Sequence, residues 1–391
     1  MMIPMLTDEQ EVVVDLVREF VAREVVPVSA QLDRNERPED CFSWELIEKA
    51  SEAGLRTLTL DEEYGGSAVD FMTTALAVEE MAKGDMGLAV VFAQTWKLAQ
   101  TVQLAGTPDQ RARYLPDYAA DPRGLLAITF TEPDTASDYI APYEQGHYAT
   151  TAVKTGGGWV INGMKHFISN GNRASLYIVF AQTDPSRPLT EGSTAFLVPR
   201  ETEGLSIGRV HDKLGERLAN NAEVIFKDVF IPDEDVMGEP QRGFQIQQAF
   251  FPASNAYAAA TVLGVAEAAY DRAVAWARQR VQGGKPIIQH DSLASDLAEM
   301  KMWLDATRLY VLHAAWAGDH PEGWEPSLGS LPKVLASQVG WKVVTKAMEV
   351  HGGYGYMKET GMEKLLRDAA AFLHSDGVNR TLLLKAAKLL R

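Results

Sequence analysis

From about Phe244 to Val281 the chain carries one unbroken helical pattern, rich in Ala and Val at spacings suited to close helix packing. A helix of that length and texture needs other helices around it, so this stretch commits its half of the chain to a bundle. The partners are legible nearby. One pattern covers about Ser292 to Trp316, and a Pro/Gly-rich loop follows from Gly318 to Leu331. A further helix covers about Pro332 to Val350, and another runs from about Gly361 to Leu373.

The opening of the chain is helical too. Thr7-Asp8-Glu9-Gln10 has the form of a capping box, and Val13, Leu16, Val17, Phe20 and Val21 then recur at helical spacing up to Pro27. Helices are predicted at about Trp44 to Ala53 and Phe71 to Ala82, and apolar sequence from Met86 to Leu104 predicts a buried one. At Pro122-Arg123-Gly124 the texture changes. Short alternating or β-branched runs appear, among them Leu126 to Thr131, Ala149 to Lys154, Leu176 to Ala181 and Glu223 to Phe226, separated by Gly156-Gly157-Gly158 and Asn170-Gly171. After Ile231-Pro232-Asp233 the helices return.

The fold class expected is α+β in three parts. These are an all-α domain over 1–122, a compact antiparallel β domain over 123–235, and a helical-bundle domain over 236–391. No strand–helix alternation and no Gly-rich dinucleotide fingerprint is present, which excludes a Rossmann unit.

Charge narrows the partners. A formal net charge of -16 with no Lys/Arg-rich run excludes an electrostatic footprint for nucleic acid or an anionic membrane. A phosphate-bearing cofactor stays compatible, because backbone N–H groups and one or two Arg can neutralise it locally. The lone Cys41 makes no intrachain disulfide or Cys-based zinc site, and no metal site is read from the sequence. With no signal peptide and no apolar run long enough to span a bilayer, a soluble cytoplasmic protein is expected.

Four stretches carry candidate chemistry. Thr131-Glu132-Pro133-Asp134-Thr135-Ala136-Ser137-Asp138 follows Phe130 at the end of the first β-run, as a turn offering N–H and O–H donors. Ile161-Asn162-Gly163-Met164-Lys165-His166-Phe167-Ile168-Ser169-Asn170-Gly171 reads as a hairpin turn, a strand and a second Asn-Gly turn. Arg280-Val281-Gln282-Gly283-Gly284-Lys285-Pro286-Ile287 closes the long helix. His290 beyond it reads as a capping or packing residue. Finally, Glu349 and the cluster His351, Gly352, Gly353 and Gly355 precede a helix bearing Arg367-Asp368, which stops at His374-Ser375-Asp376-Gly377. Taken alone, Asp376-Gly377 could be a helix-ending turn and nothing more.

In order and together, with Lys213-Leu214-Gly215-Glu216-Arg217 between them, these stretches resemble the motifs of the flavin-dependent acyl-CoA dehydrogenase superfamily over nearly the whole chain. The resemblance implies an α, β, α subunit with one FAD, acyl-CoA as substrate, electron-transferring flavoprotein as acceptor and a homotetramer built as a dimer of dimers. It implies Asp376 as the catalytic base, with its own N–H and the flavin ribityl chain stabilising the enolate. Phe167 would stack beside the isoalloxazine, Ser169 would lie near flavin N5, and Arg280 would bind the pyrophosphate across a subunit interface. Phe130, Thr131, Ala136, Ser137, Glu349, Gly353 and Val378 complete the implied flavin contacts. Ser137, Phe251, Ser254, Asn255, Ser375 and Gly377 would face the substrate.

Several positions depart from the family pattern. The usual Tyr-Glu-Gly-Thr reads Ser375-Asp376-Gly377-Val378, so the acid is one methylene shorter and a small residue stands beside it. Asp134 and Ala136 replace two glycines, Gly283 an aromatic and Glu349 a glutamine. Pro252 and Asn255 replace an Asp and an Arg, and Ser254 stands where other members carry the base. Asp at the base position resembles dehydrogenases of alicyclic acyl-CoA on one side and nitroalkane oxidase on the other; Leu383 stands where the latter has an Arg. Desaturation of a cyclic or branched acyl-CoA is the expectation. The alternatives are oxidation of a small carbon acid and a catalytically silent flavoprotein subunit.

Overall fold

A computed structural model describes residues 6–136 and 146–390, with the side chains of 249–253 and 321 left undescribed. The chain opens with α1 (Asp8–Phe20), whose N-terminus carries the capping box formed by Thr7 and Gln10. It does not stop at Pro27. A wide π-turn over Val21–Val25 passes directly into α2 (Val26–Asp33), so Pro27 sits near the start of a new helical run, where its missing N–H costs little. Then come α3 (Trp44–Glu52), α4 (Phe71–Gly84), α5 (Met86–Ala105) and α6 (Pro108–Ala120). Asp85 caps the N-terminus of α5 by accepting from the Leu88 N–H.

The middle of the chain forms β1 (Leu126–Thr129), β2 (Thr151–Thr155), β3 (Gly158–Ser169), β4 (Leu176–Gln182), a short α7 (Leu189–Gly192), β5 (Ser193–Pro199), β6 (Leu205–Val210), β7 (Asn221–Pro232) and β8 (Val236–Met237). The described strands make one eight-stranded sheet, ordered β6-β7-β3-β2-β4-β5-β8, with β1 against β4. It is antiparallel except where β1 runs parallel to β4 and where β2 touches β4 at a single pair. The expectation of a purely antiparallel domain is corrected there: β1 enters from a helix rather than from a hairpin, so no turn forces it to reverse.

A second correction concerns Asn162-Gly163, which is not a hairpin turn but a bulge inside β3. Pairing to β7 slips between Ile161 and Gly163, and the Asn162 amide pairs with Asp228 instead. A Cβ at Gly163 would lie 2.6 Å from the Thr150 Cα, and φ there is +145°.

The chain returns to helix in α8 (Gly243–Gln279). A two-strand ribbon of β9 (Val281–Gln282) and β10 (Lys285–Pro286) follows, then α9 (Asp291–Asp319), α10 (Leu331–His351), α11 (Met362–Ala371) and α12 (Asn379–Lys388). The long apolar α8 packs against α4, α5, α9 and α10, and one buried cluster runs continuously through both helical halves. The apolar faces of the sheet feed two further clusters.

Buried charge ties the three parts together. Lys364 on α11 pairs with Asp368 at 2.7 Å and Asp85 at 2.9 Å, and Asp368 accepts from the Glu216 N–H in the loop before β7. Beside it, Arg367 pairs with Asp33 of α2 and donates to the Leu214 carbonyl. A Cβ on Gly215 would meet the Arg367 carbonyl at 2.3 Å, so the Leu-Gly-Glu turn lies flush on α11. Among the described residues no helix is long and apolar enough to cross a membrane.

Candidate active site

Asp376 stands where α11 has ended and α12 has not begun. It and Gly377 both have left-handed backbone, φ +49° and +94°. Asp tolerates that region better than most residues, and Gly tolerates it freely. Two lysines fix the turn. Lys333, in the first turn of α10, donates to the Gly377 carbonyl at 2.7 Å and to Asn379 Oδ1 at 3.0 Å. Lys97 reaches across from α5, placing Nζ 3.8 Å from Asp376 Oδ1 and 3.3 Å from the Ser254 hydroxyl of α8.

Both lysines are buried, and burial lowers both, Lys333 to about 8; the charge of Asp376 acts in the opposite sense on each. Glu216 lies near enough to respond as well. Burial pushes its carboxyl up, Lys213 opposes that, and Asp376 adds to it. Asp376 is thus a quarter-exposed carboxylate, with 24% of its side chain accessible, set near two buried lysines from α5 and α10. Its backbone N–H makes no hydrogen bond within the chain among the described residues, leaving a donor beside the carboxylate.

A second group gathers on the sheet. Glu132 and Lys165, from two separate motifs, form a fully buried pair at 2.7 Å, and Glu132 also accepts from the Ala149 and Thr150 N–H groups. Burial lowers Lys165 to about 8 although Glu132 opposes it. This pair fastens the turn after β1 onto β3. At the edge of the turn the Thr131 carbonyl accepts from the His166 N–H at 2.7 Å. Phe167 then adopts φ +58° with its side chain exposed, an arrangement that costs backbone energy and calls for a functional reason. Asn221 on β7 donates both to the Phe167 carbonyl and to the Ser169 hydroxyl, holding the two together.

The third group lines an open groove of about 700 Å³ at the far end of α8 and α10, where Arg280, Glu349 and Gly353 meet Trp276, His290 and Tyr354. Its residues fit a phosphate-bearing, heteroaromatic cofactor. The Arg280 guanidinium lies over Tyr354 and has no carboxylate partner among the described residues. Trp276 stacks on His351, and its buried Nε1 has no acceptor among the described residues. A Cβ at Gly353 would meet nothing. His290 occupies the N-cap position of α9, and its ring bonds the Gln282 carbonyl rather than a helix N–H.

The expected residues therefore sort into these three places. Asp376, Gly377, Ser375, Val378 and Ser254 belong to the first, and Asn255 is buried beside Ser254 with its Oδ1 unpartnered. Thr131, Phe167 and Ser169 belong to the second; Arg280, Glu349 and Gly353 to the third. Phe130 directly follows β1, the strand that leads to the second group. Its ring is buried against Phe180, and the Phe130 carbonyl accepts from Lys165. Ala136 is exposed beside the undescribed segment. Ser137 lies outside the described residues, as does the side chain of Phe251. Reading the sequence alone missed Lys97, Lys333 and Glu216. Lys97 had a signal, being a charge inside an apolar run predicted to be a buried helix.

Comparison with known proteins finds relatives along nearly the whole chain. Family models described as the N-terminal, middle and C-terminal domains of acyl-CoA dehydrogenase match residues 7–121, 127–229 and 241–390. A cyclohex-1-ene-1-carbonyl-CoA dehydrogenase from Geobacter metallireducens is 34% identical over 377 residues, 96% of each chain. The structure of butyryl-CoA dehydrogenase from Megasphaera elsdenii superposes with a TM-score of 0.92 at 34% identity, covering 100% of both chains. A chain from structural work on the electron transferring flavoprotein of Acidaminococcus fermentans gives a TM-score of 0.92 at 32% identity, covering 100% of this chain and 99% of that one.

Proposed function

The chain belongs to the acyl-CoA dehydrogenase family, and from that premise we propose that it is an FAD enzyme desaturating a cyclic or branched acyl-CoA at Cα–Cβ, with Asp376 as base. The observation that carries this reading is the setting of Asp376: a carboxylate between buried Lys97 and Lys333, beside its own unengaged N–H.

The α-proton of a thioester is weakly acidic, so removing it needs a base within reach and a donor on the thioester oxygen, where charge develops. Asp376 supplies both, its carboxylate accepting the proton and its N–H pointing to the enolate oxygen. Lys97 orients the carboxylate, and Lys333 holds the turn that presents it. When bound, the flavin supplies the acceptor for the β-hydride. Phe167 and Ser169 would border that flavin, and Arg280 would hold its pyrophosphate.

None of the groove residues around Arg280 comes from the sheet that carries Phe167. A single FAD touching both groups is best explained by two chains, which supports the paired subunits that the proposed dimer of dimers would contain. Electron-transferring flavoprotein is the acceptor we assign, in keeping with the Acidaminococcus relative.

The substrate follows from reach. An Asp withdraws the carboxylate by roughly one bond length relative to Glu, while reaction needs heavy atoms about 3–3.5 Å apart. Ser375 opens volume beside it that a ring or branch fills, bringing the α-carbon closer. Anaerobic titration of the flavin-loaded protein against straight-chain, branched and cyclic acyl-CoAs and nitroalkanes tests the reading. Fastest bleaching by a cyclic or branched thioester is expected. Preference for straight chains contradicts the substrate assignment, and bleaching by nitroalkanes alone replaces desaturation with carbon-acid oxidation.

A further inference from the structure

Glu223, near the start of β7, faces two irregularities at once. On one side, β3 pairs Lys165 with Val224 and Ile168 with Ala222, so His166 and Phe167 together oppose Glu223. On the other side, β6 pairs Ile207 with Val224 and Val210 with Ala222, so Gly208 and Arg209 oppose it as well. Bulges re-aim side chains, and two facing bulges on one residue turn three side chains inward to a common point. His166 comes from the first bulge. His211 comes from the chain just beyond the second, held there by its N–H on the Asn221 carbonyl.

We propose that His166, His211 and Glu223 form a binding site for a zinc-class divalent transition metal ion. Their donor atoms all lie within 4.8 Å of one another, and His166 Nε2 is 3.5 Å from Glu223 Oε1. A tetrahedral ion with bonds of about 2.0–2.1 Å sets its donors about 3.3 Å apart, so a small rotation of each side chain closes the site. His211 is 8% exposed, and its Nε2 is buried with no hydrogen-bond partner, an arrangement that a metal would satisfy. The other Glu223 oxygen already accepts from the Arg209 N–H at 3.0 Å, which fixes the carboxylate as an outer-shell contact does at metal sites.

Two imidazoles and one carboxylate suit zinc, cobalt or nickel better than magnesium or calcium, and three protein ligands leave one position open. The protein's charge of -16 favours cation uptake in general, but only this cluster offers nitrogen donors converging among the described residues. The consequence is local. The Phe167 ring lies 4.1 Å from the His166 ring and 4.5 Å from the His211 ring, centroid to centroid. A metal bridging the two histidines would therefore lock the strained backbone that presents Phe167. This inference stands without the flavin assignment.

The test is equilibrium dialysis of the flavin-loaded protein, stripped with chelator and then offered zinc, with the first shell read by zinc X-ray absorption. One zinc per chain with two imidazoles is expected. His211→Ala and His166→Ala should weaken binding by more than the roughly 10–100-fold that outer-shell changes cost. Glu223→Gln, which preserves size and shape, should weaken it at least tenfold (about 1.4 kcal/mol) while flavin content and circular dichroism stay unchanged. No zinc uptake by the wild type, equal uptake by wild type and Glu223→Gln, or a first shell without imidazole overturns the proposal.

Discussion

Lys97 and Lys333 show how single residues set the chemistry. Lys97 faces Asp376 at 3.8 Å from a buried helix and also reaches the Ser254 hydroxyl, so it helps to fix where the carboxylate sits. Lys97→Met should therefore slow anaerobic flavin reduction, by roughly 10- to 100-fold, while thioester binding stays near normal. An unchanged reduction rate would assign Lys97 to packing alone. Lys333 makes a prediction on stability. Burial holds it at about 8, below the 10.5 of a free lysine. Between those values the unfolded chain binds a proton that the folded chain does not, so this residue's contribution rises with pH across that window and is smallest below about 8. Urea midpoints should show wild type gaining on Lys333→Met upward from pH 8; parallel curves would refute it. The carboxylate itself was legible in the sequence through its motif. Its lysines could not be placed beside it, although Lys97 stood out as a charge in an apolar run, because they approach from helices far away in sequence and only the fold sets those distances.

Among elements, α11 is the joint where the three parts meet. Lys364 is its buried cation, shared by Asp85 and Asp368, both with fully buried side chains. Removing one partner leaves two acids uncompensated, and such losses run to about 3–5 kcal/mol. Lys364→Met should lower stability by that order in urea denaturation, and a loss under about 1 kcal/mol would show that water or neighbours already carry those charges. The helices themselves were readable from periodicity, and α8 to α10 lie within a few residues of expectation because each has a clear apolar pattern and a breaking loop. Irregular elements were not. The π-turn before Pro27 and the bulge at Asn162-Gly163 depend on which neighbours they pack against, and the same residues in isolation read as a helix stop and a hairpin turn. The paired bulges around Glu223 were invisible for the same reason.

At the scale of the whole molecule, the resemblance of scattered motifs was enough to fix the order of domains, while the groove at Arg280 adds what one chain lacks. Its guanidinium has no acidic partner among the described residues, and the sheet residues near Phe167 lie outside that groove. Arg280→Ala should lose flavin before it loses its helical circular dichroism, because it removes a phosphate contact and not core packing. Full flavin occupancy in that variant, or a monomer in sedimentation that keeps its flavin, would contradict a site shared between chains. The central claim is that Asp376 takes the proton that starts the reaction. Anaerobic stopped-flow mixing of the Asp376→Asn protein with its best acyl-CoA tests this most directly, since an amide binds in the same place but accepts no proton. Retained flavin and ligand binding with bleaching slowed by about 10²- to 10⁴-fold is the predicted result; bleaching at a rate near that of the wild type would place the base elsewhere.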